Sequence, residues 1–220
     1  RIIPALGDSI RMPVVDAATV ARVKAMKASG DLVVLSEIGP QYMGMAPDDP
    51  RLEPFWALAE ELDLPVGIHV GTGPPGTPYL APPLKDYRAR LHSALVIEEV
   101  LARHPKLRVY LMHAGYPMID DLLAVLYTHP QVYVDVGVIV YTQPRPAFYR
   151  YLQAIVEAGF AKRVMFGSDN MVWPETIGRS IEVIQQAPFL SEAQKRDIFY
   201  NNAARFLRLD AATIARHHAL

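Results

Sequence analysis

The chain has 220 residues, of which 51% are hydrophobic and 20% are charged, a composition typical of one sizeable globular domain. A formal net charge of −1 gives no reason to expect a nucleic acid or an anionic membrane as a partner. The sequence contains no cysteine, which excludes disulfides and thiolate metal sites, so any metal must be held by His, Asp or Glu.

One pattern recurs along the chain: a short apolar run, a turn-rich break, and then a helical pattern. The apolar runs predict strands at "RIIPAL" (1–6), "LVVLSEIG" (32–39), "PVGIHVG" (65–71), "LRVYLMHAG" (107–115), "QVYVDVG" (131–137) and "RVMFG" (163–167). The helical patterns predict helices near 16–29, 51–63, 88–103, 118–128, 146–159, 175–186, 191–200 and 202–208. Asp16 is predicted to cap the first helix and Gly30 to end it, while Asp48 or Asp49 precedes the second, with Pro50 in its first turn.

These six strand–helix units lie about 25 to 40 residues apart, the spacing of parallel βαβ crossovers. Both a doubly wound sheet and a (β/α) barrel fit this order. No Gly-x-Gly-x-x-Gly follows a strand, which weakens a dinucleotide-binding interpretation. We expect a single α/β domain over residues 1–220, in which the Pro/Gly-rich stretch 71–84 forms an active-site lid.

An ionisable residue stands at the carboxyl end of four of the predicted strands. These residues are Glu37, His69, His113 and Asp169. In a parallel barrel the strand ends share one mouth, so the four side chains should converge there. Strict alternation along the strands would also turn them to the same side as Gly67, Leu111 and Gly167. Two imidazoles and two carboxylates are ligands that suit Zn²⁺, Mn²⁺ or Fe²⁺.

Each of these residues also has a purely structural interpretation. A single histidine at a strand end is commonly a satisfied core residue, Glu37 can pair with an arginine, and Asp169 can cap the following loop. The remaining histidines fall in helical patterns or on the tail, and we expect them at the surface: His92, His104, His129, His217 and His218. Tyr79, Tyr116 and Trp173 lie on mouth loops, where substrate contact and loop packing are both open. Arg88, near the mouth loop, either holds a substrate carboxylate or is a solvated charge at the start of a helix, and Asp135 either lines the pocket or bonds backbone.

The motifs "GIHVG", "LMHAGYP", "VMFGSD" and "NNAARFL" resemble successive signatures of the amidohydrolase superfamily, in order from about residue 30 to 208. The most similar branch is the amidohydrolase-related, aminocarboxymuconate-semialdehyde decarboxylase-like group. The resemblance implies a distorted (β/α)8 TIM-type barrel holding one or two divalent metals. It further implies that His69 and Asp169 are metal ligands, that Asp169 also transfers a proton, and that Glu37 bridges two metals in some branches. His113 would ligate a second metal or polarise the substrate.

The sequence departs from this family in one respect, because it contains no His-x-His pair of the kind that the family carries on its first strand. If the motifs align, Arg1 lies near strand three, and two strands and two ligands are missing from this chain. We therefore expect an N-terminally truncated barrel of about six strand–helix units. Its exposed sheet edges would favour a homo-oligomer.

The leading functional hypothesis is a cytoplasmic metal-dependent hydrolase that cleaves a C–N or C–O bond in a small polar molecule. Zinc is the expected metal, with manganese or iron as alternatives; Asp169 would take a proton from the metal-activated water, and His113 would stabilise charge on the substrate oxygen. A metal-dependent non-oxidative decarboxylase or hydratase is the alternative, in which Arg88 or Arg90 would hold a substrate carboxylate. A non-catalytic, degenerate barrel is the third hypothesis. No apolar run approaches the ~20 residues of a membrane span, so we expect no membrane partner.

Overall fold

The computed structural model describes residues 5–8, 16–80, 82–170 and 172–219. The chain divides into two compact units, Arg1–Val132 and Tyr133–Leu220. A single domain over residues 1–220 therefore stays a prediction.

The first unit contains four parallel strands that pair in chain order. They are β1 (Ala5–Asp8), β2 (Val34–Ile38), β3 (Val66–His69) and β4 (Val109–Met112). Each strand pairs in parallel with the next, from β1 through β4. The predicted strand positions are confirmed, except that residues 1–4 of the first lie outside the described residues. Val66, Ile68, Val109 and Leu111 are fully buried, as expected for parallel strands covered on both faces.

Helices separate these strands. They are α1 (Ala17–Ser29), α2 (Glu53–Glu61), α3 (Thr77–Leu80), α4 (Glu98–Arg103) and α5 (Ile119–Thr128), with 3₁₀ turns at Pro40–Met43, Pro50–Leu52, Pro82–Leu84, Ala89–His92, Ala94–Ile97 and His113–Gly115. The predicted caps of α1 are confirmed: the Asp16 side chain accepts the Thr19 N–H at 2.7 Å, and Gly30 ends the helix with φ 78°. Asp49 caps the turn that precedes α2.

The single helix predicted over 88–103 is wrong in its first half. Two 3₁₀ turns replace it, and only Glu98–Arg103 is α-helical. Ser93 stands between the turns with an extended backbone, and its hydroxyl accepts the Leu95 N–H at 3.1 Å. Because a serine hydroxyl can take a backbone N–H that a helix would otherwise use, Ser93 interrupts the helix at this point.

The second unit contains β6 (Val164–Met165) and all but the first residue of β5 (Val132–Asp135). These two strands are parallel and pair through Val134 with Val164 and Asp135 with Met165. Its helices are α6 (Ile139–Thr142), α7 (Arg145–Ile155), α8 (Glu175–Gln185), α9 (Glu192–Arg196), α10 (Asn202–Phe206) and α11 (Ala211–His218), with π-helical turns at Val156–Phe160 and Asp197–Asn201. The predicted strands and the long helices of this half are confirmed. Helices α6 and α11 were not predicted.

Asn202, in the motif "NNAARFL", anchors β6. It is fully buried, and its amide donates to the backbone oxygens of Ala161 at 2.9 Å and Val164 at 2.6 Å. A buried amide that satisfies two carbonyls fixes where the strand begins.

None of the helices in the described part of the chain is long and apolar enough to cross a membrane.

Candidate metal centre

Three side chains from the ends of neighbouring strands meet in the first unit. Nε2 of His69 lies 3.8 Å from Oε1 of Glu37, and Nε2 of His113 lies 3.9 Å from the same oxygen. One ligand atom from each residue lies within 4.8 Å of the other two. We call this group the Glu-His-His cluster. Both imidazoles are buried, while the Glu37 side chain is 24% exposed.

Glu37 reaches the cluster because β2 carries a bulge. Leu35 pairs with Val66 but Ile38 pairs with Ile68, so three steps along β2 face two steps along β3. An extra residue breaks the strand's alternation and re-aims a side chain. Glu37 faces His69, while Ser36 beside it bonds the Tyr110 hydroxyl at 2.7 Å.

His113 reaches the cluster by a turn of the backbone rather than by alternation. In the β3–β4 register Gly67 pairs with Tyr110 and His69 with Met112, so Leu111 lies on the opposite face from His69. The prediction that His113 shares the face of Leu111 is therefore wrong. His113 follows the end of β4 with φ 60°, and Ala114 continues in the left-handed region at φ 48°. Such strained backbone concentrates at functional sites, and here it brings the His113 ring centroid to 4.5 Å from that of His69.

Burial controls the protonation of His69. Desolvation is the main cause that lowers the pKa of His69 well below its ordinary value of 6.5. The positive charges that the nearby imidazoles of His113 and His92 can carry lower it further. Its Nδ1 is buried and has no hydrogen-bond partner among the described residues. His69 is therefore neutral at pH 7, the protonation state that metal ligation requires.

An aromatic cluster that the sequence did not predict packs beside His69. His92 was expected at the surface, but it is fully buried, and its ring lies 5.4 Å from His69, 4.5 Å from Tyr87 and 5.3 Å from Tyr42. Burial lowers the pKa of His92 to about 4, although hydrogen bonds with the backbones of Gln41 and Gly71 act in the opposite direction. The Tyr42 hydroxyl lies 2.9 Å from Nε2 of His69. The sequence position of Tyr42, in the loop directly after β2, could have indicated that it lies near the site, since the loops after barrel strands line the mouth.

His104 was also expected at the surface and is also buried. Its two ring nitrogens lie 2.9 Å from Glu53 and 3.2 Å from Glu60, both on α2. His104 ends α4, so this histidine joins two helices.

His129 is partly buried and lies 3.3 Å from Glu98. His217, half-buried, pairs with the Tyr200 hydroxyl at 2.7 Å, while His218 is exposed as predicted.

Asp169 lies in the second unit, four residues after the end of β6. It is half-buried with φ 48°, and its backbone oxygen accepts the Tyr141 hydroxyl at 3.2 Å. Burial, and then the charge of Asp169, raises the pKa of Tyr141. Asp135 is buried, and its carboxylate accepts the Gly137 N–H at 2.8 Å, which is the backbone role considered for it. The assignment of Asp169 as a metal ligand and proton carrier stays a prediction.

The three residues proposed for substrate contact have different environments. Arg88 is exposed, and its guanidinium donates to the backbone oxygens of Lys85 and Tyr87. Tyr116 is half-buried, and its backbone oxygen accepts the Thr72 N–H at 3.0 Å. Trp173, in the second unit, is 63% exposed. Substrate contact by these residues stays a prediction.

The Glu-His-His cluster fits a divalent cation. Two neutral imidazoles and a carboxylate are the protein ligands of many catalytic zinc sites. At the usual Zn–N and Zn–O lengths, ligand atoms in a tetrahedral site lie about 3.4 Å apart. The distances of 3.8 and 3.9 Å exceed this by about half an ångström, and all three ligand atoms lie within 4.8 Å of one another, so the side chains would have to close in on a bound cation.

The parallel strands and the cluster at their carboxyl ends define a partial (β/α) barrel with a candidate metal centre. The chain belongs to the amidohydrolase family, whose model, described as Amidohydrolase, matches residues 6–209. The superfamily resemblance and the barrel fold expected from the sequence are thereby confirmed.

Known proteins similar to this chain include both sequence relatives and solved structures. Gamma-resorcylate decarboxylase of Rhodococcus jostii (strain RHA1) is 29% identical, over 74% of this chain and 56% of that protein. An uncharacterised TIM-barrel protein of Bordetella bronchiseptica superposes with a TM-score of 0.67 at 20% identity, over 93% of this chain and 65% of that one. A dihydroxybenzoic acid decarboxylase of Polaromonas sp. JS666, solved with bound manganese and an inhibitor, superposes with a TM-score of 0.57 at 17% identity. The match covers 86% of this chain and 65% of that one. The chain thus spans between about half and two thirds of the length of these relatives.

Proposed function

We propose that this chain carries the metal centre of a metal-dependent, non-oxidative decarboxylase that acts on a small carboxylic acid. The observation that carries the proposal is the Glu-His-His cluster, found in a chain that is 29% identical to a decarboxylase. Decarboxylation was the alternative to hydrolysis in the sequence analysis. We now prefer decarboxylation to hydrolysis, because hydrolysis is supported only by the resemblance to the superfamily.

Glu37, His69 and His113 would hold the cation. A divalent metal supplies a Lewis acid that offsets negative charge on a substrate oxygen. Zinc is the metal expected from the donor set, and manganese is supported by the manganese-bound decarboxylase of the same fold. Both ions belong in the test of this proposal.

The protein must also exclude water and deliver a proton. Decarboxylation breaks the bond between the carboxylate carbon and the substrate; the electron pair stays on the substrate carbon, and a proton must reach that carbon. Asp169, marked as a proton-transfer residue by the motif resemblance, is our candidate for delivering that proton. The buried imidazoles of His69 and His113 and the aromatic ring of Tyr42 would keep that side of the site dry, which strengthens every electrostatic contact in it.

The test begins with purified protein that a chelator has stripped and that is then reloaded separately with Zn²⁺, Mn²⁺ or Fe²⁺. Each form is incubated with a panel of aromatic and aliphatic carboxylic acids and with a panel of esters, lactones and amides. Release of CO₂ and the product mass are recorded. We expect metal-dependent loss of CO₂ from at least one carboxylic acid.

Two variants check that the activity depends on the cluster. Glu37→Gln should abolish CO₂ release, while Glu61→Gln, which alters an exposed residue paired with Lys24, should leave it unchanged. Metal-dependent hydrolysis without CO₂ would restore the hydrolase hypothesis. Less than about one tenth of an equivalent of bound metal, with no turnover after reloading, would instead favour a non-catalytic barrel.

A further inference from the structure

Tyr42 contacts the nitrogen of His69 that faces Glu37 in the Glu-His-His cluster. Its hydroxyl lies 2.9 Å from His69 Nε2, and the same nitrogen lies 3.8 Å from Glu37 Oε1. The Tyr42 ring stands edge-on to the His69 ring at a centroid distance of 4.8 Å. The phenol is therefore fixed against the side of His69 on which a cation would bind.

An imidazole nitrogen has a single in-plane position, which holds either a proton or a lone pair. The hydrogen bond with Tyr42 uses that position on Nε2, whichever of the two atoms donates. A cation bound to Nε2 needs the same position. Cation binding and the Tyr42–His69 hydrogen bond therefore exclude each other.

We infer that Tyr42 is a displaceable cap on His69: cation loading breaks the hydrogen bond between the Tyr42 hydroxyl and Nε2, and this bond therefore weakens cation binding. The inference rests on the proposed function, because it assumes that the cluster binds a divalent cation. It adds a positioning residue that belongs neither to the predicted ligands nor to the predicted substrate contacts. Tyr42 sets how tightly the centre holds its cation.

Tyr87 provides a matched control in the same aromatic cluster. Its ring is buried and lies 5.7 Å from that of Tyr42, but its hydroxyl accepts the backbone N–H of Gly73 at 2.8 Å rather than contacting His69. Tyr42→Phe and Tyr87→Phe each remove one hydroxyl and keep the ring. They differ in whether that hydroxyl touches a cluster nitrogen.

The test measures the dissociation constant of Zn²⁺ and of Mn²⁺ for chelator-stripped protein, by competition with a chromophoric chelator. Because a net hydrogen bond competes with the cation in the wild type, Tyr42→Phe should bind about three- to tenfold more tightly. Tyr87→Phe should match the wild type within about twofold. Cation addition should also change the near-ultraviolet tyrosine absorbance of the wild type and of Tyr87→Phe, but not of Tyr42→Phe. That signal reports the phenol's environment directly, which an effect on folding alone would not reproduce.

Unchanged or weaker binding by Tyr42→Phe, in a wild type that binds the cation, would overturn the cap and leave the proposed function standing. Equal tightening in both variants would also overturn it, since the effect would then belong to the whole aromatic cluster. If the wild type bound none of the cations, the proposed function and the cap would fall together.

Discussion

The ring of Tyr110 lies directly over the backbone of Gly67. A Cβ atom at residue 67 would come within 2.3 Å of Tyr110 Cζ and 2.4 Å of its hydroxyl oxygen. The two residues pair in register on β3 and β4, and the Tyr110 hydroxyl reaches Ser36 on β2 at 2.7 Å. The absence of a side chain at Gly67 thus allows one tyrosine to bridge three strands beside Glu37.

Gly67→Ala should therefore destabilise the protein. The added methyl group must displace Tyr110 and break its bond with Ser36, and overpacking of this kind costs about 1–3 kcal/mol of unfolding free energy. Cation binding should weaken as well, because the bulge that carries Glu37 begins at Ser36. Denaturant unfolding and cation titration measure the two effects.

Gly178→Ala is the control for that substitution. Gly178 lies in the exposed interior of α8, and apart from the backbone of its own helix nothing lies within 4 Å of where its Cβ would stand. Alanine favours helix, so the unfolding free energy should stay the same or rise by up to about 1 kcal/mol. Equal losses at both glycines would contradict the close approach at Gly67.

His69 and His104 are two buried histidines whose predicted roles differ. His69→Gln should lower cation affinity by at least about a hundredfold, since it removes a ligand rather than an outer-shell partner. His104→Gln cannot reach both Glu53 and Glu60, so it should lower the unfolding free energy by about 1–2 kcal/mol and leave cation affinity within about twofold. Measuring cation affinity and unfolding free energy for both variants tests whether His69 binds the cation and His104 stabilises the fold. A large loss of cation affinity in His104→Gln would place the cation elsewhere.

Features governed by local chemistry were predictable from the sequence. Asp16 and Gly30 bound α1 as expected, because a cap depends only on the few residues around it. The strands were predicted because parallel strands buried on both faces read as apolar runs. The helix expected over 88–103 failed where Ser93 offered the backbone a competing hydrogen bond.

The candidate site was predicted in its membership but not in its geometry. Glu37, His69 and His113 could be predicted as site residues from their positions at strand ends, because all strands of a parallel barrel end at one mouth. Strict alternation did not give their orientation, because the bulge in β2 depends on pairing with β3 and the left-handed turn at His113 has no signal in its neighbours. His92 was missed because its burial comes from the packing of Tyr42, Tyr87 and His69 around it, which are distant in sequence.

Asn202 and Asn201 allow a test of the "NNAARFL" motif. Asn202→Ala leaves the buried carbonyls of Ala161 and Val164 without their donor and should lower the unfolding free energy by about 2–4 kcal/mol. Asn201→Ala loses one half-buried bond to Asp197 and should cost about 1 kcal/mol or less. Denaturant unfolding of both variants compares them. Similar losses would mean that the motif does not act through the start of β6.

Asp169→Asn tests the predicted proton carrier without disturbing the backbone. Asp169 adopts φ 48°, a conformation that asparagine tolerates as well as aspartate does, and the bond from Tyr141 goes to its backbone oxygen, which the substitution keeps. The melting temperature should stay within about 2 °C of the wild type, while turnover of the substrate found in the panel should fall about 10²- to 10⁴-fold. Asp210→Asn is the matched control, because Asp210 caps α11 through the Thr213 N–H and asparagine caps a helix equally well. Near-normal turnover in Asp169→Asn would remove this residue from the mechanism, and a similar loss in Asp210→Asn would trace the effect to folding rather than to proton transfer.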